Sequence, residues 1–87
     1  MHLTRQLAQE LAPSVRVNAI APGLVKTDFA RALWENEEMV KRRNAATPLR
    51  RIGMPDEIGG VAAFLAGPAA SFITGQVIVV DGGVTIS

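Results

Sequence analysis

From Leu3 to Ala12 the apolar positions return on one side of a helical wheel. Leu3, Leu7 and Leu11 share a broad face with Thr4, Ala8 and Ala12, while Arg5, Gln6 and Gln9 lie opposite. This pattern predicts an amphipathic helix over residues 1–12, ended by Pro13, with a leucine and alanine face that suits packing on a sheet or on a second helix. The pattern then shortens. Val15 to Ile20 is partly β-branched and bounded by Pro13-Ser14 and Pro22-Gly23, which predicts a strand over 15–20. Arg16 and Asn18 fall on one face of it, and Asn18 beside valines reads as a hydrogen-bonded structural group.

Residues 24–47 mix charge with isolated Phe29, Leu33, Trp34 and Met39, the pattern of a helical excursion lying over something else. Thr27 and Asp28 are both N-cap candidates for a short helix through Leu33 or Trp34. Asn36 starts a second helix ending near Lys41-Arg42-Arg43. Pro55 at a first helical position, acidic Asp56 and Glu57, and Ile58, Val61, Ala62 and Leu65 at helical spacing predict a helix over 55–66, stopped by Gly67-Pro68. Gly59 and Gly60 each cost about 1 kcal/mol against alanine there, which implies a tight backbone approach or a tolerated weakness. Residues 76–80 are almost continuously apolar, the mark of a strand covered on both faces, and Asp81 braces the turn that Gly82-Gly83 makes after it.

The order helix, strand, helical excursion, helix, strand is a βαβ crossover with a helix before it, so the fold class is α/β with two parallel strands. Two such strands do not finish a sheet, and further strands are expected beside them. Composition agrees. The chain has 87 residues, 48% hydrophobic, with a mean hydropathy of +0.22, rich for a length that buries only about 60% of its unfolded surface. Some faces are therefore expected to lie against partners, and self-association is expected.

Nine basic against eight acidic residues leave a net charge of +1, which favours neither nucleic acid nor an anionic membrane. Lys41-Arg42-Arg43 and Arg50-Arg51 read as helix-end and solvated cations. No cysteine is present, compatible with a reducing cytoplasm, and no apolar stretch is long enough for a transmembrane helix, so a soluble cytoplasmic protein is expected. His2 has no Cys, His or carboxylate cluster at ligand spacing, so no metal is expected. Ser71 and Ser87 have no partnered base.

Chemistry is concentrated where the first strand ends, in Asn18-Ala19-Ile20-Ala21-Pro22-Gly23-Leu24-Val25-Lys26-Thr27. The carboxyl end of a strand is where open α/β sheets bind ligands. Pro22 keeps Ala21 extended, and Gly23 is expected to take a positive φ, leaving the next N–H and C=O groups to face a flat ligand such as a carboxamide. A plain Pro-Gly turn is the alternative.

The run Arg16-Val17-Asn18-Ala19-Ile20-Ala21-Pro22-Gly23, then Val25-Lys26-Thr27, Gly53-Met54-Pro55-Asp56-Glu57-Ile58, Ile73-Thr74-Gly75-Gln76 and Val80-Asp81-Gly82-Gly83, resembles the C-terminal part of the short-chain dehydrogenase/reductase family over nearly the whole chain. The resemblance implies that residues 1–87 are one C-terminal segment of a Rossmann-like doubly wound parallel sheet. It implies NAD or NADP as cofactor of the parent protein, with Pro22, Gly23, Leu24 and Val25 passing the nicotinamide, Val25 holding the carboxamide through its backbone, and the Thr27 hydroxyl contacting carboxamide or pyrophosphate. It further implies a mobile substrate lid over 24–47, and subunit interfaces built by the first helix and the last helix-strand pair.

In that family a tyrosine, a lysine four positions later and an upstream serine carry catalysis. This sequence has no tyrosine, and neither Gly59-Gly60 nor Gly82-Gly83 supplies the glycine-rich dinucleotide fingerprint. No catalytic residue is therefore assigned. The expected parent is an oxidoreductase moving hydride between nicotinamide and a carbonyl or alcohol substrate; this chain alone is expected to be inactive and to bind neither NAD nor NADP tightly. The alternative is a non-catalytic self-association module.

Overall fold

A computed structural model describes residues 2–86. Helix α1 (His2–Leu11) buries Thr4 and Ala8, whereas Leu3 stays 66% exposed. The buried stripe meets the turn at Thr74 and Gly75, where a Cβ on Gly75 would stand 3.5 Å from that of Ala8. Residue 1 of the helix read over 1–12 falls outside the described residues, and Ala12 belongs to the following turn.

Strand β1 (Ala19–Pro22) pairs in parallel with β2 (Val77–Val80), Ala19 opposite Val77 through Pro22 opposite Val80. Between them the chain passes through α2 (Arg31–Trp34), α3 (Glu37–Ala46) and α4 (Pro55–Ala66). This is the parallel crossover that the pattern predicts. The strand read over 15–20 is displaced, beginning at Ala19 and running to Pro22.

Its first half is held by other bonds. Val17 N–H donates to the Thr74 hydroxyl (3.0 Å), Gly75 N–H to the Val17 carbonyl (2.7 Å), and Asn18 spans the gap, its amide donating to Ile73 O (3.0 Å) and accepting from Gln76 N–H (3.1 Å). A ladder cannot form where side chains occupy its partners. Asn18 is thus the structural group its sequence context suggests. Arg16 donates to Ile73 O (3.1 Å) and to Leu65 O (2.8 Å), closing a carbonyl that the end of α4 leaves open.

Three further expectations change. Strand β2 is not covered on both faces among the described residues, since Val79 is 49% exposed. A Cβ on Gly59 or Gly60 would meet nothing within 4 Å, so no tight approach explains these glycines here. Helix α3 starts at Asn36, whose side chain accepts from Met39 N–H (3.1 Å), but runs past Arg43 to Ala46. The core is thin: Ala8, Val25, Leu65 and Ala70 are its buried apolar residues. A radius of gyration of 15.2 Å, against roughly 12 Å for a compact domain of this length, reflects that thinness.

Candidate functional site

The sheet's carboxyl end gathers three passes of the chain. Gly23 continues the ladder beyond β1, its N–H donating to Val80 O (2.9 Å). Its φ is not positive, which corrects the expectation of a left-handed turn. What it supplies is closeness: a Cβ there would stand 2.9 Å from both Cα and Cβ of Asp81. Two left-handed glycines stand across the site, Gly82 (φ 65) and Gly83 (φ 95). Any side chain on them would strike Thr47 Cγ2 at 2.8 Å or Pro48 Cγ at 2.9 Å. Leu49 N–H donates to Gly82 O (3.1 Å), so the chain after α3 is fastened over the turn after β2.

Val25 forms an isolated parallel bridge with Gly53. Gly53 N–H donates to Leu24 O and Lys26 N–H to Gly53 O, both at 2.9 Å. Peptide groups alternate along an extended chain, so the N–H and C=O of Val25 itself face the other way. Its carbonyl accepts from Thr27 N–H (2.8 Å); its N–H has no acceptor among the described residues, in a residue only 9% exposed. Leu24, Val25, Thr47, Leu49, Ile58 and Val80 line a hollow of about 100 Å³ beside this bridge.

Of the residues singled out by sequence, Gly23, Leu24 and Val25 are thus brought to one place with Asp81. Pro22 closes β1 with its side chain exposed. Thr27 lies past the bridge, its hydroxyl accepting from Ala30 N–H (3.2 Å) and its carbonyl from the Trp34 indole N–H (2.6 Å). Neither cap candidate caps α2, whose N-cap is Ala30 without a side-chain cap bond: the Thr27 hydroxyl closes the turn before the helix, and Asp28 pairs with Arg31 at 2.8 Å on the surface.

Electrostatics stiffens the frame. Asp81 accepts from Gly83 N–H (2.9 Å) and Thr85 N–H (3.1 Å), as its turn position suggests. Burial pushes its carboxyl up, but the bonds from Gly83, Thr85 and Val84 outweigh this and hold it below the ordinary value. Arg51 grips Glu57 with two bonds of 2.7 Å, while Glu57 also accepts from Met54 N–H (2.9 Å). The Arg51 hydrogen bonds, then the Met54 N–H, bring the Glu57 carboxyl down to about 2. Sequence reading passed over this clamp, although a glutamate at the third position of a helix is the signature of a capping box. Arg51 and Trp34 carried no comparable local signal.

Among the described residues no group of three or more His, Cys, Asp or Glu side chains is placed to hold a metal ion, and no helix is long and apolar enough to cross a membrane.

The family model described as enoyl-(acyl carrier protein) reductase matches residues 1–85. Dehydrogenase/reductase SDR family member 4 of Homo sapiens is 46% identical over 82 residues, 93% of this chain and 30% of that protein. A solved short-chain dehydrogenase/reductase, glucose/ribitol dehydrogenase, from Brucella melitensis superposes with a TM-score of 0.88 at 44% identity, covering 95% of this chain and 33% of that one. A 4-hydroxyisoleucine dehydrogenase complexed with NADH gives a TM-score of 0.93 at 32% identity, covering 99% and 36%. The chain spans about a third of the length of the curated relatives it matches.

Proposed function

The chain belongs to the short-chain dehydrogenase/reductase family, and on that premise we propose that residues 22–27 form the nicotinamide wall of an NAD(P)-dependent oxidoreductase acting on a carbonyl or alcohol carbon. The observation that carries this reading is the unpartnered N–H of Val25. Donors without an acceptor are rare in the interior of folded proteins, Val25 as a residue is nearly buried, and its N–H faces away from the bridge that fixes its direction.

A carboxamide fits these groups. Its oxygen accepts from Val25 N–H, its NH₂ reaches the second lone pair of the Val25 carbonyl, and the Thr27 hydroxyl proton stands two residues on. Gly23, with no side chain, lets this turn pack directly against Asp81. When bound, nicotinamide supplies or accepts the hydride. The residues of this chain bind and orient it; proton transfer is assigned to none of them, since the sequence has no tyrosine. Residues 24–47 act in this reading as a substrate lid, supported by their pinned ends at Val25 with Gly53 and Leu49 with Gly82, and by a fully exposed Phe29 between them.

The test is a titration of the ¹⁵N-labelled chain with NADH, following the Val25 amide. A saturable shift is expected with a dissociation constant weaker than about 1 mM, about 4 kcal/mol of binding, because one wall sets few bonds against the ordering of a flexible dinucleotide. An amide that stays still at tens of millimolar NADH refutes the assignment.

A second reading, self-association, is favoured by exposed apolar surface. Leu3 on α1, Val79 on β2 and Phe72 beyond α4 all face solvent. Each strand also has one edge without a partner among the described residues, an invitation to another chain. Sedimentation is expected to show a dimer or larger species; a cooperatively folded monomer at micromolar concentration removes this reading.

A further inference from the structure

Trp34 lies outside the residues 22–27 assigned to the nicotinamide, yet it is bonded to one of them. Its indole N–H donates to the Thr27 carbonyl at 2.6 Å, across seven residues of chain. Lys26 and Arg31 place their cations over the same ring, 5.0 and 5.7 Å from its centre, so one aromatic side chain is gripped by residues on both sides of Thr27.

The polar groups of Thr27 can be followed one by one. Its N–H is spent on Val25 O (2.8 Å) and its carbonyl on Trp34 and Ala30. The hydroxyl oxygen accepts from Ala30 N–H at 3.2 Å. A hydroxyl has one proton and two lone pairs, and with one lone pair taken from within the turn, its proton points elsewhere. That proton has no acceptor among the described residues. The Thr27 hydroxyl therefore has a proton left to give, and its carbonyl is held by two donors, the Ala30 N–H and, at the shorter distance, the Trp34 indole.

We propose that Trp34 is a positioning residue: by anchoring the Thr27 carbonyl it fixes the Thr27 hydroxyl as a donor beside Val25 N–H, so that the two together receive an acceptor edge of the ligand. This rests on the nicotinamide-wall reading above. Thr27→Ser keeps the donor and should bind more tightly than Thr27→Val, which loses it. Trp34→Phe keeps a ring under the two cations but has no N–H, and should weaken binding about fivefold, the worth of one hydrogen bond.

The experiment titrates NADH into the labelled full chain, wild type and these variants, reading the Val25 amide; the amides of residues 19–22 and 77–80 report whether each variant remains folded. Trp34 is the sole tryptophan, so its indole N–H gives one resonance whose exchange with solvent can be followed directly. Slow exchange in wild type, a fivefold loss in Trp34→Phe and tighter binding by Thr27→Ser than by Thr27→Val are expected. Folded Trp34→Phe binding as tightly as wild type overturns the positioning role and leaves the nicotinamide wall standing. A wild-type Val25 amide that ignores NADH overturns both. If Trp34→Phe does not fold, the wild-type indole decides: exchange as fast as a free indole overturns the proposal, whereas protected exchange and a shift on adding NADH uphold it.

Discussion

Replacing Gly23 by alanine tests the convergence at the end of the sheet. The added Cβ would stand 2.9 Å from Asp81 Cα and 2.9 Å from Asp81 Cβ. Carbon atoms pack best at about 3.5 to 4.0 Å, so roughly 0.6 Å or more must be found. Two routes exist. The chain can open at the Gly23 N–H to Val80 O bond (2.9 Å), sacrificing roughly 1 kcal/mol, or Asp81 can retreat, straining the carboxylate bonds to Gly83 and Thr85. Overpacking of this kind costs about 1 to 3 kcal/mol. At ~2 kcal/mol the midpoint of thermal unfolding falls by roughly 8 to 16 °C for a domain of this size. Urea and thermal unfolding followed by circular dichroism measure it. Gly53→Ala is the control, because its Cβ would meet Leu24 O and Val25 Cγ2 at an ordinary 3.6 Å. Gly23→Ala unfolding within about 0.5 kcal/mol of wild type would show that the close approach is not a constraint, and the reasoning fails.

Gly59→Ala and Gly60→Ala meet open space in α4 and should each stabilise by about 1 kcal/mol in the same unfolding experiment. Arg50 has φ 61, so glycine there should exceed alanine in stability by about 1 kcal/mol, reversing the usual order; a chemical denaturation series of Arg50→Gly and Arg50→Ala decides it. The Glu57 carboxyl is lowered to about 2, so the stability it contributes is complete above its unfolded value near 4.5 and is lost as pH falls through 2. Unfolding midpoints between pH 6 and 2 should therefore fall less steeply in Glu57→Gln, and parallel curves for the two proteins would exclude the clamp from acid stability.

Local patterns announced the elements well and their long-range uses poorly. Pro55 with two acidic residues and a helical apolar stripe gave α4 its bounds, because each of those signals acts within one or two turns. Asp81 was legible as a bracing group for the same reason, its bonds going to Gly83 and Thr85; Asn18 was legible only as a polar group needing partners, since Ile73 and Gln76 lie more than fifty positions away. Strand β1 was misplaced because Thr74 and Asn18 substitute side-chain oxygens for ladder partners, and nothing within residues 15–20 announces a hydroxyl more than fifty positions away. Glycine was the hardest letter. Gly23 and Gly59 look alike in sequence, one without room for a methyl group and the other facing open space, and only the neighbouring chain separates them.

The same contrast explains why the candidate site lies where it does. Three segments distant in sequence, at 23–27, 47–53 and 80–83, approach within van der Waals distance at Gly23, Gly82 and Gly83. Side chains there would push the passes apart, so backbone is left facing backbone at the end of the sheet. Most of those polar groups then satisfy one another: Gly23 with Val80, Leu49 with Gly82, Gly53 with Leu24 and Lys26. The Val25 N–H does not join them, because the bridge to Gly53 uses the groups on either side of it and turns it the other way. Rigidity and an unfilled donor therefore have one origin, and a ligand that accepts from Val25 meets a group whose direction is already set by the contacts that hold the turns together.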